Sequence, residues 1–472
     1  MQPSPQQQAV MDALARSAAH LSVRSLAGTG KTTTIELCQP IKSGLNIAFN
    51  RNVRAEFQER MPLASNHTFN SFGHAIITQN LGRPRFDVKK LWHIFDELRL
   101  KGSLSDLRRL VDVGRNHGVG PSSYSLIKHT DFEFWDNVIE DHELDILPEH
   151  RAQLPTIIKR CWELACDRII DYGDQNWAPV VMNLSLGRPP GIVYVDEAQD
   201  INALQHHLIL RLAKSSRIVL VGDPHQAIYG FRGSVAGAMG VLESQLGITS
   251  PLQLSVTYRC PKAVVEVAKR WVPEYEAHPS APEGTVAELK EWDHTNIPLG
   301  STILCRNNAK LVGVALYLLS KERGATIKGS EIGKGLAKLA RSIDKESHPK
   351  TPADFIKAVE TWFHANYEKP NAEDKANSLI ALIRGLKTAD GETLARRVTA
   401  LFSDEAGLIT LSTIHKAKGL EWKSVFILDR SLIPSRFART EEQLQQEQNL
   451  LYVGVTRSKD SLTWITTEGL RG

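Results

Sequence analysis

The chain has 472 residues, too many for one hydrophobic core and enough for about three domains. Its 42% hydrophobic and 23% charged residues are those of a globular protein, and no apolar run approaches the roughly 20 residues that span a bilayer, so no membrane partner is expected. A net charge of +4 permits a polyanionic partner without demanding one, and five scattered cysteines without paired ligand spacing fit a reducing compartment and argue against a structural zinc.

The N-terminal stretch MQPSPQQQAVMDAL lacks the charged-then-apolar order of a signal peptide. Leu21–Leu26 reads as a buried strand. Ser25–Thr32, SLAGTGKT, follows it and opens a helix, the context that a phosphate-binding loop requires. Gly28 and Gly30, either side of Thr29, let backbone N–H groups turn toward phosphate oxygens, and the helix N-terminus adds its positive dipole. Lys31 would hold the β and γ phosphates of a nucleotide, and Thr32 would coordinate Mg²⁺. The first position of the usual pattern is Ser25 rather than glycine.

Leu45–Phe49 is the next strand, with Asn50 after it, and Thr68–Phe69 follow in HTFNSFGH. From Gly82 to Gly187, apolar residues recur at helical spacing among charges, which predicts a helical insertion with Trp92, Trp135, Trp162 and Trp177 in its core. Ile192–Val195 then delivers Asp196 and Glu197 to a strand's C-terminal edge, where ligands bind in open α/β sheets. Asp196 suits the surroundings of Mg²⁺, and Glu197 can take a proton from an attacking water. Paired acids at a strand end are otherwise a solvated turn; with Lys31 and Thr32 upstream they read as half of an ATP-hydrolysing site.

Ile218–Val221 leads into GDPHQAIYGFRG. Gln226 offers an amide to a nucleotide phosphate or its attacking water. Tyr229, Phe231 and Arg232 form an aromatic–aromatic–cation group suited to stacking on bases, or on a plainer reading ordinary core aromatics. Beyond LQLSV come Tyr258 and Arg259. A second series of strands includes Thr302–Cys305, Leu408–Ser412, Val425–Leu428 and Leu462–Ile465, broken by a shorter helical segment at about Arg341–Asp404. Within it, HPKTP and YEKPNAED read as loops. His415, Lys416 and Lys418 lie in LSTIHKAKGLEW, and Arg457 in LLYVGVTRSKD. A guanidinium from Arg259 or Arg457 reaching a γ phosphate would stabilise transition-state charge.

For a single nucleic-acid strand the candidates are Phe49, Asn50, Thr68, Phe69, Tyr229, Phe231, Arg232 and His415, with the two lysines for backbone phosphates. Phe49 and Phe69 follow apolar runs and read equally as core. The fold class is α/β, with two parallel-sheet cores, each interrupted by a mainly helical insertion. The first core takes residues 1–81 and 188–252 around an insertion at 82–187. The second takes 253–340 and 405–472 around a reduced insertion at 341–404.

These motifs, in this order, resemble the UvrD/PcrA/Rep branch of superfamily one helicases across both cores, essentially Pro3–Thr463 apart from the insertions. AGTGKTTT, FNRNVRAEF, TFNSFGH, GDPHQAIYGFRG, TIHKAKGLEW and NLLYVGVTR are similar to the F-box DNA helicase subgroup, although no F-box segment is recognisable. The resemblance implies two RecA-like cores of the P-loop NTPase type, with ATP and Mg²⁺ as cofactors. It implies that Gln6 reads adenine, that Tyr258 stacks on its ring, and that Glu421 lies near the ribose. It further implies 3′-to-5′ travel on single-stranded DNA. Phe231 stands where many members carry tryptophan, and Thr33 where many relatives carry a phosphate-contacting arginine. The second insertion is far shorter than the large mobile domain of the relatives.

The expected activity is therefore an ATP-dependent DNA translocase and helicase acting on single-stranded DNA and 3′-tailed duplexes. A loading or single-strand-binding protein is a further expected partner. Cytoplasmic location, at the nucleoid of a bacterial or phage-infected cell, is the matching expectation. The alternative is a translocase that strips proteins from DNA or needs a partner to unwind. A non-catalytic, ATP-gated DNA-binding module is the reading from another class. RNA is set aside by the resemblance alone.

Overall fold

A computed structural model describes residues 2–40, 43–102, 104–141, 144–188, 190–228, 237–367, 372–384, 386, 389–402 and 408–471. The chain divides into two compact units, Met1–Ser255 and Val256–Gly472. No helix among the described residues is long and apolar enough to cross a membrane.

The first unit is built on β1 (Leu21–Ser25), β2 (Leu45–Ala48), β3 (Ser65–Thr68), β8 (Ile192–Val195), β9 (Arg217–Gly222) and β10 (Leu252–Leu254). They pair in the order β10-β1-β9-β8-β2-β3, every ladder parallel. A parallel sheet must be covered on both faces. On one face Val10 and Leu14 of α1 (Pro5–Arg16), Ile35 of α2 (Lys31–Cys38) and Phe57 of α3 (Arg51–Arg60) pack on Val23 and Tyr194. On the other, Phe69 of α4 (Phe69–Leu81), Ile209 of α10 (Ala203–Ala213) and Leu242 of α11 (Ala238–Gln245) pack on Ile47, Val193 and Val195.

The first insertion holds α5 (Lys90–Glu97), α6 (Leu104–Asn116), α7 (Phe132–Asp141), α8 (Pro148–Cys166) and α9 (Asp174–Val181). Two short parallel ribbons pair β4 (Arg85–Phe86) with β7 (Ile169–Ile170) and β5 (Val119–Gly120) with β6 (Ile127–Lys128). It has a hydrophobic cluster of its own, in which Trp135 and Trp177 are wholly buried and Trp92 and Trp162 partly so. A buried ionic network crosses it. Arg115 donates to Asp171 at 2.9 Å and to Asp174 at 3.1 Å, and Lys90 donates to Asp174 at 2.7 Å. Gly73 lets α4 and α9 touch, because a Cβ there would lie 1.8 Å from the Gln175 carbonyl oxygen.

The second unit opens with a ribbon of β11 (Val256–Thr257) and β12 (Glu276–Ala277), joined by α12 (Lys262–Ala268). Its sheet holds β13 (Thr285–Glu288), β14 (Thr302–Cys305), β15 (Ala325–Ile327), β16 (Ile409–Thr413), β17 (Trp422–Leu428) and β18 (Ser458–Ile465). The order is β13-β18-β17-β14-β16-β15, again all parallel. Around it lie α13 (Asn308–Ser320), α14 (Ser330–Ser347), α15 (Pro352–His364), α16 (Ala372–Ile383), α17 (Gly391–Leu401), the one-turn α18 (Ile414–Ala417) and α19 (Glu441–Val455). Here the insertion has no separate core among the described residues. Leu379, Leu382, Leu394 and Val398 belong to one cluster with Ile303, Leu311 and Leu411 of the sheet layer.

Besides the short ribbon strands, the strands that sequence periodicity did not anticipate are β3, β10, β13 and β15, the edge strands of the two six-stranded sheets. An edge strand is half-solvated and needs no continuous apolar run; β13, TVAE, is exposed at all four residues.

Candidate functional site

The phosphate-binding loop forms as its sequence requires. Gly28 (φ 70°) and Gly30 (φ 88°) take left-handed backbone that other residues adopt at a cost, and no side chain caps the start of α2 at Gly30. Thr29 is turned inward, its hydroxyl donating to the Leu26 carbonyl at 2.8 Å. Ser25 explains its own departure from the usual glycine: its hydroxyl lies 2.7 Å from that of Thr29 and staples the loop from inside. Lys31, Thr32 and Thr33 form the first turn of α2.

The end of β8 brings Asp196 and Glu197 to the same loop. Lys31 Nζ lies 3.5 Å from Glu197 Oε1. Glu197 itself takes left-handed backbone (φ 51°), an uncommon conformation for a non-glycine residue. Asp196 is buried, and its Oδ1 has no hydrogen-bond partner. Burial first, and the Glu197 carboxylate second, push its pKa up to about 7, against the pull of Lys31. An orphaned buried carboxylate oxygen beside a second carboxylate fits a divalent cation.

Two residues that sequence reasoning passed over complete the arrangement. Gln199 donates from Nε2 to Glu197 Oε2 at 2.5 Å and accepts from the Asp223 backbone N–H at 2.9 Å. Asp223 is fully buried and in turn accepts from Gln226 Nε2 at 2.6 Å. Lys31, Glu197, Gln199, Asp223 and Gln226 thus form one continuous polar chain from β1's loop across β8 to β9. Gln199 stands in IVYVDEAQD only three residues past Asp196, and that proximity was the available signal.

Gln6, expected to read adenine, spends both ends of its amide on Ser255: Nε2 donates to Oγ at 2.9 Å and Oε1 accepts from the backbone N–H at 3.0 Å. In the second unit, Tyr258 is more than half exposed and its ring lies 4.9 Å from that of His278. Glu421, expected near a ribose, bridges Arg259 Nε and Lys459 Nζ, each at 2.6 Å. Arg457, expected with Arg259 to reach a γ phosphate, lies inside the second unit. It is buried and donates to the carbonyls of Val453 at 2.8 Å and Leu420 at 3.2 Å, and desolvation lowers its pKa to about 10.

Among the strand candidates, Phe49 is half-buried after β2, and Asn50 caps α3 by accepting from Val53 N–H. Thr68 caps α4 through Ser71. Phe69 is a correction: only 4% exposed, its ring packs in the core under the sheet and presents no face to a base. His415 is half-buried on α18, with Lys416 exposed beside it. Tyr229, Phe231 and Arg232 lie outside the described residues. An aromatic that the sequence did not single out is Tyr172, 53% exposed and in edge contact with the exposed Phe86 at 4.7 Å. The Tyr172 carbonyl accepts from Asn70 Nδ2, next to Phe69. Nothing in IIDYGDQNW separates this tyrosine from a core residue until the fold exposes it.

The matches to known families take in the segments that carry Asp196, Glu197, Gln199, Asp223 and Gln226, and those that carry His415, Glu421 and Arg457. The UvrD/REP helicase N-terminal domain matches residues 188–246, and the UvrD-like helicase C-terminal domain matches residues 327–469. Both matches are to domains of UvrD-like helicases, and together they cover somewhat less than half of the chain. The chain is 26% identical to F-box DNA helicase protein 1 of Schizosaccharomyces pombe over 94% of its own length and 55% of that protein. It is 23% identical to the ATP-dependent DNA helicase UvrD2 of Mycobacterium tuberculosis over 57% of this chain and 47% of the relative. With the ATP-dependent DNA helicase PcrA of Bacillus subtilis it shares 31% over 29% of this chain and 18% of the relative. The chain spans about half the length of the first two of these relatives. The two sheets of this UvrD-like chain, six parallel strands each, are consistent with two RecA-like cores.

Proposed function

We propose that this UvrD-like chain is an ATP-dependent translocase on single-stranded DNA that moves 3′ to 5′ and unwinds 3′-tailed duplexes. The observation that carries this reading is the polar chain from Lys31 through Glu197, Gln199 and Asp223 to Gln226. In the sequence Gln226 lies three residues before Tyr229, the first residue of the segment proposed to grip bases.

In this reading Lys31 and the open first turn of α2 bind the triphosphate, while Thr32 and Asp196 hold Mg²⁺, which would neutralise developing charge on the phosphates. Glu197 accepts the proton of the attacking water, and Gln199 fixes which carboxylate oxygen is free to do so. Gln6 and Tyr258 select the base, Glu421 the ribose. Arg259 and Arg457, both in the second unit, are the arginines proposed for the charge of the γ phosphate. In the first unit Phe49, Asn50, Thr68 and Tyr172 are proposed to meet the strand, and Tyr229, Phe231, Arg232 and His415 keep the strand-binding role expected of them. Location at cytoplasmic DNA and a loading or single-strand-binding partner belong to the same proposal.

Steady-state ATP hydrolysis with and without single-stranded DNA at fixed low salt tests it. Strong stimulation, followed by unwinding of 3′-tailed but not 5′-tailed duplexes, is the expected result. Hydrolysis indifferent to DNA would reject it. A second reading, a translocase that displaces proteins without unwinding, is favoured by the second insertion's lack of a separate core. Stimulated hydrolysis without strand separation on either tail would select it.

A further inference from the structure

We propose that α3 couples the strand surface of the first unit to its nucleotide loop, with Arg60 as the positioning residue at the nucleotide end. The inference rests on the reading above that Asn50 and Thr68 meet a strand and that α2 meets a triphosphate.

The helix touches both places. At its start, Asn50 accepts from the Val53 N–H at 3.0 Å, so the residue proposed to meet the strand is also the cap that fixes the helix end. One turn on, Arg54 Nε donates to the carbonyl of Asn66 at 2.9 Å, tying α3 to β3, the strand that ends at Thr68. Phe57 is wholly buried and seats the middle of the helix in the core. At the last residue, Arg60 Nη2 donates to Thr33 Oγ1 at 2.9 Å, while Nε reaches Glu36 at 3.1 Å and Nη1 reaches Glu56 at 2.8 Å.

Thr33 belongs to the first turn of α2, immediately after Thr32. An arginine that served only surface charge would be satisfied by Glu36 and Glu56. The third bond, to a neutral hydroxyl in the phosphate-binding turn, pins that turn to α3. The guanidinium meets these partners from three nitrogens held apart in one plane; a lysine ammonium gathers its donors on one atom and does not reproduce that spread. Ten residues of helix span about 15 Å and move as a stiff rod. A strand that shifts the cap at Asn50 therefore shifts Arg60, and with it the first turn of α2. Position 33, where a threonine replaces the arginine of many relatives, is here held by an arginine from the neighbouring helix.

The test is a binding cycle. The affinity of the purified full chain for a fluorescent oligo-dT is measured with and without a non-hydrolysable ATP analogue and Mg²⁺, for the natural sequence, Arg60→Ala and Arg60→Lys. Coupling makes the two affinities of the natural sequence differ by about 5–150-fold. Arg60→Ala and Arg60→Lys are expected to bring that ratio close to one, with each ligand alone bound within about threefold of normal. A ratio unchanged in both variants overturns the proposal, and so does equal weakening of each ligand alone with the ratio preserved. Should Arg60→Ala not fold, Arg60→Lys and Glu36→Gln, which frees the fork without removing it, decide the matter by the same ratio. If the natural sequence binds no strand at all, the function proposed above falls. If it binds both ligands with a ratio of one, the coupling alone falls.

Discussion

Lys31 and Glu197 face each other at 3.5 Å, with 15% and 18% of their side chains exposed. The ammonium that would hold a triphosphate is also the partner of the carboxylate that would deprotonate water. A triphosphate that drew Lys31 to itself would leave the bond from Gln199 to the other Glu197 oxygen in place. Glu197→Gln is therefore expected to keep nucleotide binding within a few-fold while kcat falls by about 10²–10⁴, the range of a lost general base. Calorimetric nucleotide titration beside steady-state hydrolysis checks both halves.

Gln199 has a different signature. Gln199→Ala leaves Lys31 and Asp196 in place but releases Glu197 Oε2 and the Asp223 N–H. The DNA-stimulated rate should fall by about tenfold or more with little change in KM, because a misplaced base is a loss of orientation. Gly222→Ala attacks the same point from below: its Cβ would sit 2.4 Å from Gln199 Oε1 and 3.0 Å from the Ala198 nitrogen. That variant should also lose about 1–3 kcal/mol of stability, read from its urea midpoint.

Three aromatics separate packing from binding. Phe69→Ala removes a core ring and should cost about 3–5 kcal/mol of stability. Tyr172→Ala and Phe49→Ala should instead weaken single-strand binding by about 1–3 kcal/mol each, the worth of one stacked base, with smaller loss of stability. Fluorescence anisotropy on oligo-dT and thermal unfolding of the same samples distinguish them. Equal loss of strand affinity in all three would mean that the surface is merely unfolding.

The first insertion should carry an acid-sensitive component. Burial pushes the Asp171 carboxyl up, but the Arg115 guanidinium at 2.9 Å outweighs it and holds the pKa at about 2, below the ordinary 3.8. A depressed carboxylate stabilises the fold above the unfolded value, and that contribution is lost as pH falls through about 4 toward 2. Asp171→Asn should lower stability by about 1–3 kcal/mol at pH 7, since buried Arg115 loses one carboxylate partner while keeping Asp174 and Asp112. The gap to the natural chain should narrow progressively below pH 4, as urea unfolding across that range will show.

The phosphate-binding loop, the acid pair and the central strands were legible because each is a local pattern. SLAGTGKT must bend as it does, and IVYV and IVLV can only be buried strands. Edge strands such as SNHT and TVAE carry no such signal, since half their surface meets water. Phe69 illustrates the limit from the other side: a ring after a strand end has two faces of the sheet available, and its neighbours in sequence do not choose between them. Long-range partners were equally hidden. That Glu421 meets Arg259 and Lys459, or that Arg60 meets Thr33, depends on how separated segments are brought together, which no spacing along the chain reports.

The common core beneath α14–α17 and the second sheet makes the second insertion inseparable from its host. Excising residues 341–404 would bare Leu311 and its neighbours to water, so a shortened chain would aggregate instead of yielding a minimal motor. The first insertion, with its own tryptophan-rich centre, can exchange its amide protons as a distinct cooperative block, whereas the second must share the protection of β14 and β16. Two pieces of sequence that look alike as interruptions thus differ in kind: one is a lodger, the other part of the foundation.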